Sequence, residues 1–195
     1  MATAKRKVPA EDMTVDEFLA WAGSHERNQL VDGEVRALSP ASTTHALIQA
    51  RLARLLDTHL DVPGNPCSVM TEPGIEVRFN ATKNVRVPDL AVSCVPNSAG
   101  QTTLPDPILL VEIISPGNSR ETWANVWAYT TIPTVREILI VQSTRIEAEL
   151  FRRGDDGSWP KTSQKIGPDD LLRLTAIDFA APLRAVYAKT HLAMP

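Results

Sequence analysis

Pro88-Asp89-Leu90 and, further on, Leu109-Leu110-Val111-Glu112-Ile113-Ile114-Ser115-Pro116 decide how this chain folds. Each places an acid inside an apolar run that reads as strand. Asp89 falls within Val85-Arg86-Val87-Pro88-Asp89-Leu90-Ala91-Val92, and Glu112 interrupts the run from Ile108 to Ile114. A carboxylate in such a run costs several kcal/mol unless it is paired, protonated or bound to a metal. On strands that a turn brings side by side, the two acids suggest a divalent-cation site. Hard cations take oxygen ligands, one or two carboxylates plus water and phosphate, and the backbone carbonyl of Ile113 is a further donor from the same strand. Simpler roles stay open. Asp89 after Pro88 also suits a turn, and Glu112 also suits a structural ion pair with Arg86 or Arg120.

Working outward, Thr14-Val15-Asp16-Glu17 is a capping box that opens a short helix over 14–22. Asp32-Gly33, between two alternating runs, predicts a tight hairpin. Ala46, Leu47, Ala50, Leu52, Ala53, Leu55 and Leu56 recur at helical spacing and predict a helix over 43–60, stopped by Pro63-Gly64-Asn65-Pro66. Short strands are expected over 67–72 and 74–79, the Asp89 strand over 86–94, and a polar loop over 95–106. The Glu112 strand covers 108–114, and a helix capped by Ser119 runs to Thr130. Paired strands follow over 136–141 and 146–151, a last strand over 158–166, and a short helix over 181–189. The expected architecture is one α/β (α+β) domain over 13–190, behind a disordered tail, 1–12.

The chain has 195 residues, is 43% hydrophobic and carries a net charge of −3. It is long enough for a real core and too acidic for an indiscriminate nucleic-acid coater. Cys67 and Cys94 lack metal-ligand spacing and read as buried free thiols of a reducing cytosol, in preference to a disulfide. No run approaches a membrane span, and Met1 to Lys7 is no signal peptide, so a cytoplasmic location is expected. The histidines, at 25, 45, 59 and 191, are scattered, which argues against zinc. Gly-x-Ser-x-Gly, Gly-x-x-x-x-Gly-Lys and His-Glu-x-x-His are all missing.

Pro88-Asp89, a spacer and Glu112 resemble the PD-(D/E)xK nuclease motif. Their surroundings are Leu30-Val31-Asp32-Gly33-Glu34, Ser39-Pro40 with His45, Arg86-Val87-Pro88-Asp89-Leu90, Val111 to Pro116, a helix reaching Tyr129, and Arg136 to Val141. This ordered set is similar to the Uma-two group of restriction-endonuclease-like proteins, over about residues 12–155. The resemblance implies a restriction-endonuclease-like mixed central sheet flanked by helices. It also implies hydrolysis of DNA phosphodiesters with Mg²⁺ or Mn²⁺, and a homodimer. The family's catalytic acids map onto Glu34, Asp89 and Glu112, with Asp89, Glu112 and Ile113 holding the metal.

The family lysine maps onto Asn125, one turn before Tyr129, and the acid one turn earlier onto Glu121. No lysine occurs between Lys83 and Lys161, and Arg120 is the nearest cation on that helix. Losing one positioned charge of this kind costs on the order of 10²–10³ in rate. Two functions are therefore expected as alternatives: a metal-dependent endonuclease, impaired at Asn125, or a non-catalytic interaction module on the same fold. Glu34 as a plain hairpin residue, His45 as a packing histidine, Trp123 and Trp127 as sheet-packing or base-stacking rings, and Arg51 with Arg54 as a solvated face all remain open. So does Glu137, as support for the site or an edge charge.

Overall fold

The computed structural model describes residues 12–21 and 27–193; the expected tail lies outside them apart from Asp12. In chain order the elements are α1 (Val15–Ala20), β1 (Asn28–Val31), β2 (Glu34–Ala37), α2 (Thr43–Leu60), β3 (Ser68–Thr71), β4 (Ile75–Glu76), β5 (Val85–Arg86) and β6 (Leu90–Ser93). Then come β7 (Pro107–Ile114), α3 (Ser119–Tyr129), β8 (Glu137–Gln142), β9 (Ala148–Arg152), β10 (Gln164–Ile166), β11 (Leu171–Leu174), β12 (Phe179–Pro182) and α4 (Leu183–Val186).

A six-stranded mixed sheet, order β10-β9-β8-β7-β6-β3, forms the centre, and only β7 and β8 pair in parallel. Parallel neighbours need a crossover, and α3 supplies it. Side chains alternate across this sheet. Leu109, Val111 and Ile113 of β7 face the core that α2 and α4 close, with Ile48, Leu52, Leu56 and Tyr187. Leu110 and Ile114 face the other core, with Val126 and Tyr129 of α3. Glu112 lies between Leu110 and Ile114 and shares their face. Each fully buried leucine or isoleucine contributes roughly 1.5–3 kcal/mol of hydrophobic stabilisation, so the register of β7 is strongly held. A slip of one residue would drive Glu112 into the opposite core.

A smaller sheet, β2-β1-β5-β4, stands beside the first. Its hairpin turns on Asp32 (φ 51°) and Gly33 (φ 86°), as Asp-Gly predicts. The capping box holds: Thr14 Oγ1 accepts from the Glu17 amide at 3.3 Å, and the Thr14 amide donates to Glu17 Oε2 at 2.8 Å. Val15 and Phe18 then pack on Leu30 and Val85.

Three expectations need correction. The single strand over 86–94 is two strands in two sheets, broken at Val87-Pro88-Asp89. Pro88 has no N–H for a ladder, so the chain switches sheets there. Residues 171–182 form the hairpin β11–β12, which short, weakly alternating runs concealed, and α4 is only four residues long. Cys67 and Cys94 are not free thiols but a disulfide. β3 and β6 pair antiparallel with Ser68 opposite Ser93, so the next pair outward is Cys67 and Cys94.

Glu137 is settled as structural. Fully buried on β8, it accepts from Arg152 Nε (2.7 Å), the Thr175 amide (3.1 Å) and hydroxyl (3.0 Å), and the Ala176 amide (2.9 Å). No described helix is long and apolar enough to cross a membrane.

Candidate active site

The strand break at Pro88 sets Asp89 at the entrance of β6. Leu90 pairs with Val111, so one step outward Asp89 faces Glu112 across the β6–β7 ladder. Both line one cleft of about 660 Å³ between the N-termini of α2 and α3.

Asp89 is tightly held. Its Oδ2 accepts from the Ile113 amide at 2.6 Å, and its Oδ1 lies 2.8 Å from His45 Nε2. With Asp89 ionised, Nε2 is the donor of that bond. His45 reaches it because Ser42 caps α2, its hydroxyl accepting the His45 amide at 3.2 Å. Gln49 Nε2 donates to the Asp89 carbonyl at 3.0 Å. A strand residue turns its N–H and C=O toward the same neighbour, so the Ile113 carbonyl faces the Asp89 edge.

Glu112 is 5% exposed. Tyr129 Oη donates to its Oε1 at 2.8 Å and Asn125 Nδ2 at 3.3 Å. Both donors are neutral, and burial together with the Asp89 charge pushes the Glu112 carboxyl well above the usual carboxylate range. Burial and Glu112 likewise raise the Tyr129 phenol. Behind Asn125 lies a cation. Arg86 Nη1 donates to Asn125 Oδ1 at 3.2 Å and Nη2 to Asn84 Oδ1 at 2.8 Å, and Asn84 Nδ2 donates to Asp32 Oδ1 at 2.9 Å. Arg86 is 4% exposed, its Nε has no partner, and burial lowers its pKa. The Asn84 and Asn80 amides hold the Asp32 carboxyl below its ordinary value.

Asp89, Glu112, Ile113 and Asn125 therefore come together, and Glu34 does not. Glu34 opens β2, is exposed, and pairs with its own-face neighbour Arg36 at 2.8 Å. A two-residue turn carries it to the outer face of the hairpin. The third acid at the cleft is Glu121, whose Oε1 accepts from buried Gln29 Nε2 at 2.5 Å. Its position one turn before Asn125 was the available signal. Arg86, expected as an ion-pair partner of Glu112, bonds instead to Asn125, 39 residues away.

No group of three or more His, Cys, Asp or Glu able to hold a metal occurs among the described residues. The donors that do converge suit a hard cation: two carboxylates and a carbonyl, one carboxylate buried with its charge uncompensated. A divalent ion would offset the burial and the Asp89 repulsion that push the Glu112 carboxyl upward.

This has a consequence for metal-free protein. A raised folded-state pKa means that the folded form binds more protons than the unfolded one. The Glu112 contribution to stability is thus fully present below the unfolded carboxylate value of about 4.3 and is lost as pH rises through the folded value. Glu112→Gln, neutral at every pH, is expected to melt above the native chain in EDTA at pH 8. The gap should close toward pH 4; thermal unfolding against pH reads it, and a gap that ignores pH would contradict the assignment.

A family model described as "Uma2: Putative restriction endonuclease" matches residues 15–183. The chain is 28% identical over 182 residues to "Uncharacterized protein slr1290" of Synechocystis sp., covering 92% of this chain and 93% of that protein. Its fold is similar to that of a crystal structure titled as a "putative nuclease belonging to DUF820" from Anabaena variabilis, with a TM-score of 0.73, 15% identity, and coverage of 90% and 98% of the two chains. With most of its length inside that match, the chain belongs to the Uma2 family.

Proposed function

We propose that this chain is a metal-dependent endonuclease that hydrolyses DNA phosphodiester bonds. The observation that carries the reading is Asp89 opposite Glu112 in one cleft, with Glu112 buried and its charge unmatched by any adjacent cation. Asp89, Glu112 and the Ile113 carbonyl would hold Mg²⁺ or Mn²⁺. Bound there, the ion would stabilise charge on the scissile phosphate and lower the pKa of its water. The protein's own residues do the positioning. His45 and the Ile113 amide fix the Asp89 carboxylate, and Tyr129 and Asn125 fix Glu112. Glu121 supplies a further acid at the rim, the place for orienting a water. Nicking of supercoiled plasmid with Mg²⁺ or Mn²⁺, compared with Asp89→Ala, tests the proposal.

Asn125 favours a second reading, a non-catalytic module, because it carries no charge where the family has lysine. Arg86 answers that objection in part: its guanidinium sits one hydrogen bond behind Asn125. In our reading Arg86 supplies the positive charge that Asn125 lacks. Arg86→Gln is then expected to slow cleavage by roughly 10²–10³. Asn125→Lys alone gains little, since it removes the acceptor of Arg86 and sets two cations together. Made in Arg86→Gln protein, the same lysine should restore most of the loss. Single-turnover rates of the four proteins give the coupling; additive effects would remove Arg86 from the scheme.

A further inference from the structure

A second cavity, of about 780 Å³, adjoins the acid cleft and shares Gly117, Asn118 and Glu121 with it. Two large apolar side chains stand open on its walls, Phe79 at 58% and Trp127 at 52% exposure. Trp127 is held through its ring and Phe79 through its backbone. The Trp127 ring packs on Trp123 at 6.4 Å between centroids and meets Phe151 edge-on at 6.1 Å. The Phe79 amide donates to Thr131 Oγ1 at 3.2 Å, and the Phe79 carbonyl accepts from Asn84 Nδ2 at 3.3 Å. Thr131 follows closely on the helix that carries Trp127, so the Phe79 backbone is tied to the frame that holds the Trp127 ring.

Arginines accompany the rings. Buried Arg86 lines the cavity, as do Arg36 and Arg120. Arg120 has no hydrogen-bond or ion-pair partner among the described residues. Asp32 and Glu121 line the cavity too, and Arg36 is paired with Glu34, so Arg120 is the arginine there whose charge stays open to a ligand. Exposed aromatic faces beside the unbonded Arg120 guanidinium match a nucleotide, whose base stacks while its phosphate pairs. Within a duplex both faces of a base are covered, and it reaches a side-chain ring only by leaving the stack.

We infer that this cavity receives an unpaired nucleotide from the strand whose phosphate enters the acid cleft. The inference rests on the nucleic-acid reading above and deepens it: the substrate is single-stranded or locally unpaired.

The test uses the full chain in EDTA, with labelled oligothymidine of about 12 nucleotides, within the site sizes of single-strand grooves. A matching duplex, and the same duplex with a single-nucleotide gap, complete the set. Oligothymidine and the gapped duplex should bind more tightly than the intact duplex and quench tryptophan emission. Phe79→Ala and Trp127→Ala should each weaken single-strand binding roughly 5- to 150-fold and change duplex binding by less than about twofold. Trp127→Phe, which keeps a ring, should retain most of the affinity. Arg120→Gln should weaken binding and reduce its salt slope by about 1.

Folded variants that bind single strands like the native chain would overturn the inference, as would a preference for intact duplex. Loss of self-association in Phe79→Ala and Trp127→Ala, with oligonucleotide binding unchanged, would assign the face to a second copy of this chain instead. Binding as expected without cleavage in Mg²⁺ or Mn²⁺ would sink the catalytic reading alone. Cleavage that Phe79→Ala and Trp127→Ala leave untouched would sink the nucleotide pocket alone.

Discussion

Asp89→Ala is expected to lower metal-dependent cleavage by about 10³-fold or more, the several kcal/mol that a metal centre supplies. The size follows from what Asp89 does twice over. It is one of only two carboxylates opposed at the β6–β7 edge, so without it the donor set drops to a single acid. It also organises the site, since its two oxygens fix the Ile113 amide and the His45 ring. On the proposed reading alanine removes both a metal ligand and a brace, and a rate loss alone does not separate them. Asp89→Asn does. The amide oxygen still accepts from Ile113, and the amide nitrogen donates to His45 once that ring's proton moves to Nδ1. Thermal unfolding of Asp89→Asn in EDTA should match the native chain closely, while metal binding by calorimetry and plasmid nicking both fall. An Asp89→Asn protein that nicks plasmid at the native rate would remove Asp89 from the reaction.

The parts of this molecule legible in the sequence are those specified locally. The capping box at Thr14, the Asp32-Gly33 turn, the helix over 43–60 and the alternation around Glu112 each rest on interactions a few residues apart, and the structure has all four. What was hidden depends on pairing at long range. The Cys67–Cys94 disulfide follows from the β3–β6 register, across 27 residues. Arg86 gains its position from Asn84 on its own segment and from Asn125 on α3. Glu34 looked like a site acid because it follows a clear turn; its side-chain face depends on which side of the small sheet meets solvent. The pair Asp89 and Glu112 was legible for a different reason: a carboxylate in an apolar strand is costly enough to demand an explanation before any partner is known.

Glu137 shows the same cost resolved without chemistry, and its removal should be among the most damaging single changes to the fold. Every donor around it is supplied by the protein: the Arg152 side chain across the β8–β9 ladder and three groups of Thr175 and Ala176. The carboxylate thus ties the central sheet to the turn that precedes β12, which carries Phe179 into the core of α2 and α4. Glu137→Ala leaves the Thr175 and Ala176 donors facing a void, while the Arg152 guanidinium keeps the Arg173 carbonyl and its access to solvent. Leaving the two buried amides of Thr175 and Ala176 unsatisfied costs about 1–3 kcal/mol each, a fall of roughly 4–24 °C in the unfolding midpoint for a domain of this length. Glu137→Gln should fall between, because its Oε1 still serves Arg152 and Thr175 while its Nε2 opposes the Ala176 amide. The loss should be the same with and without Mg²⁺, since Glu137 does not line the acid cleft. A Glu137→Ala chain that melts with the native one would show that the C-terminal hairpin is held by its apolar contacts alone. A metal-dependent difference would instead return Glu137 to the active site.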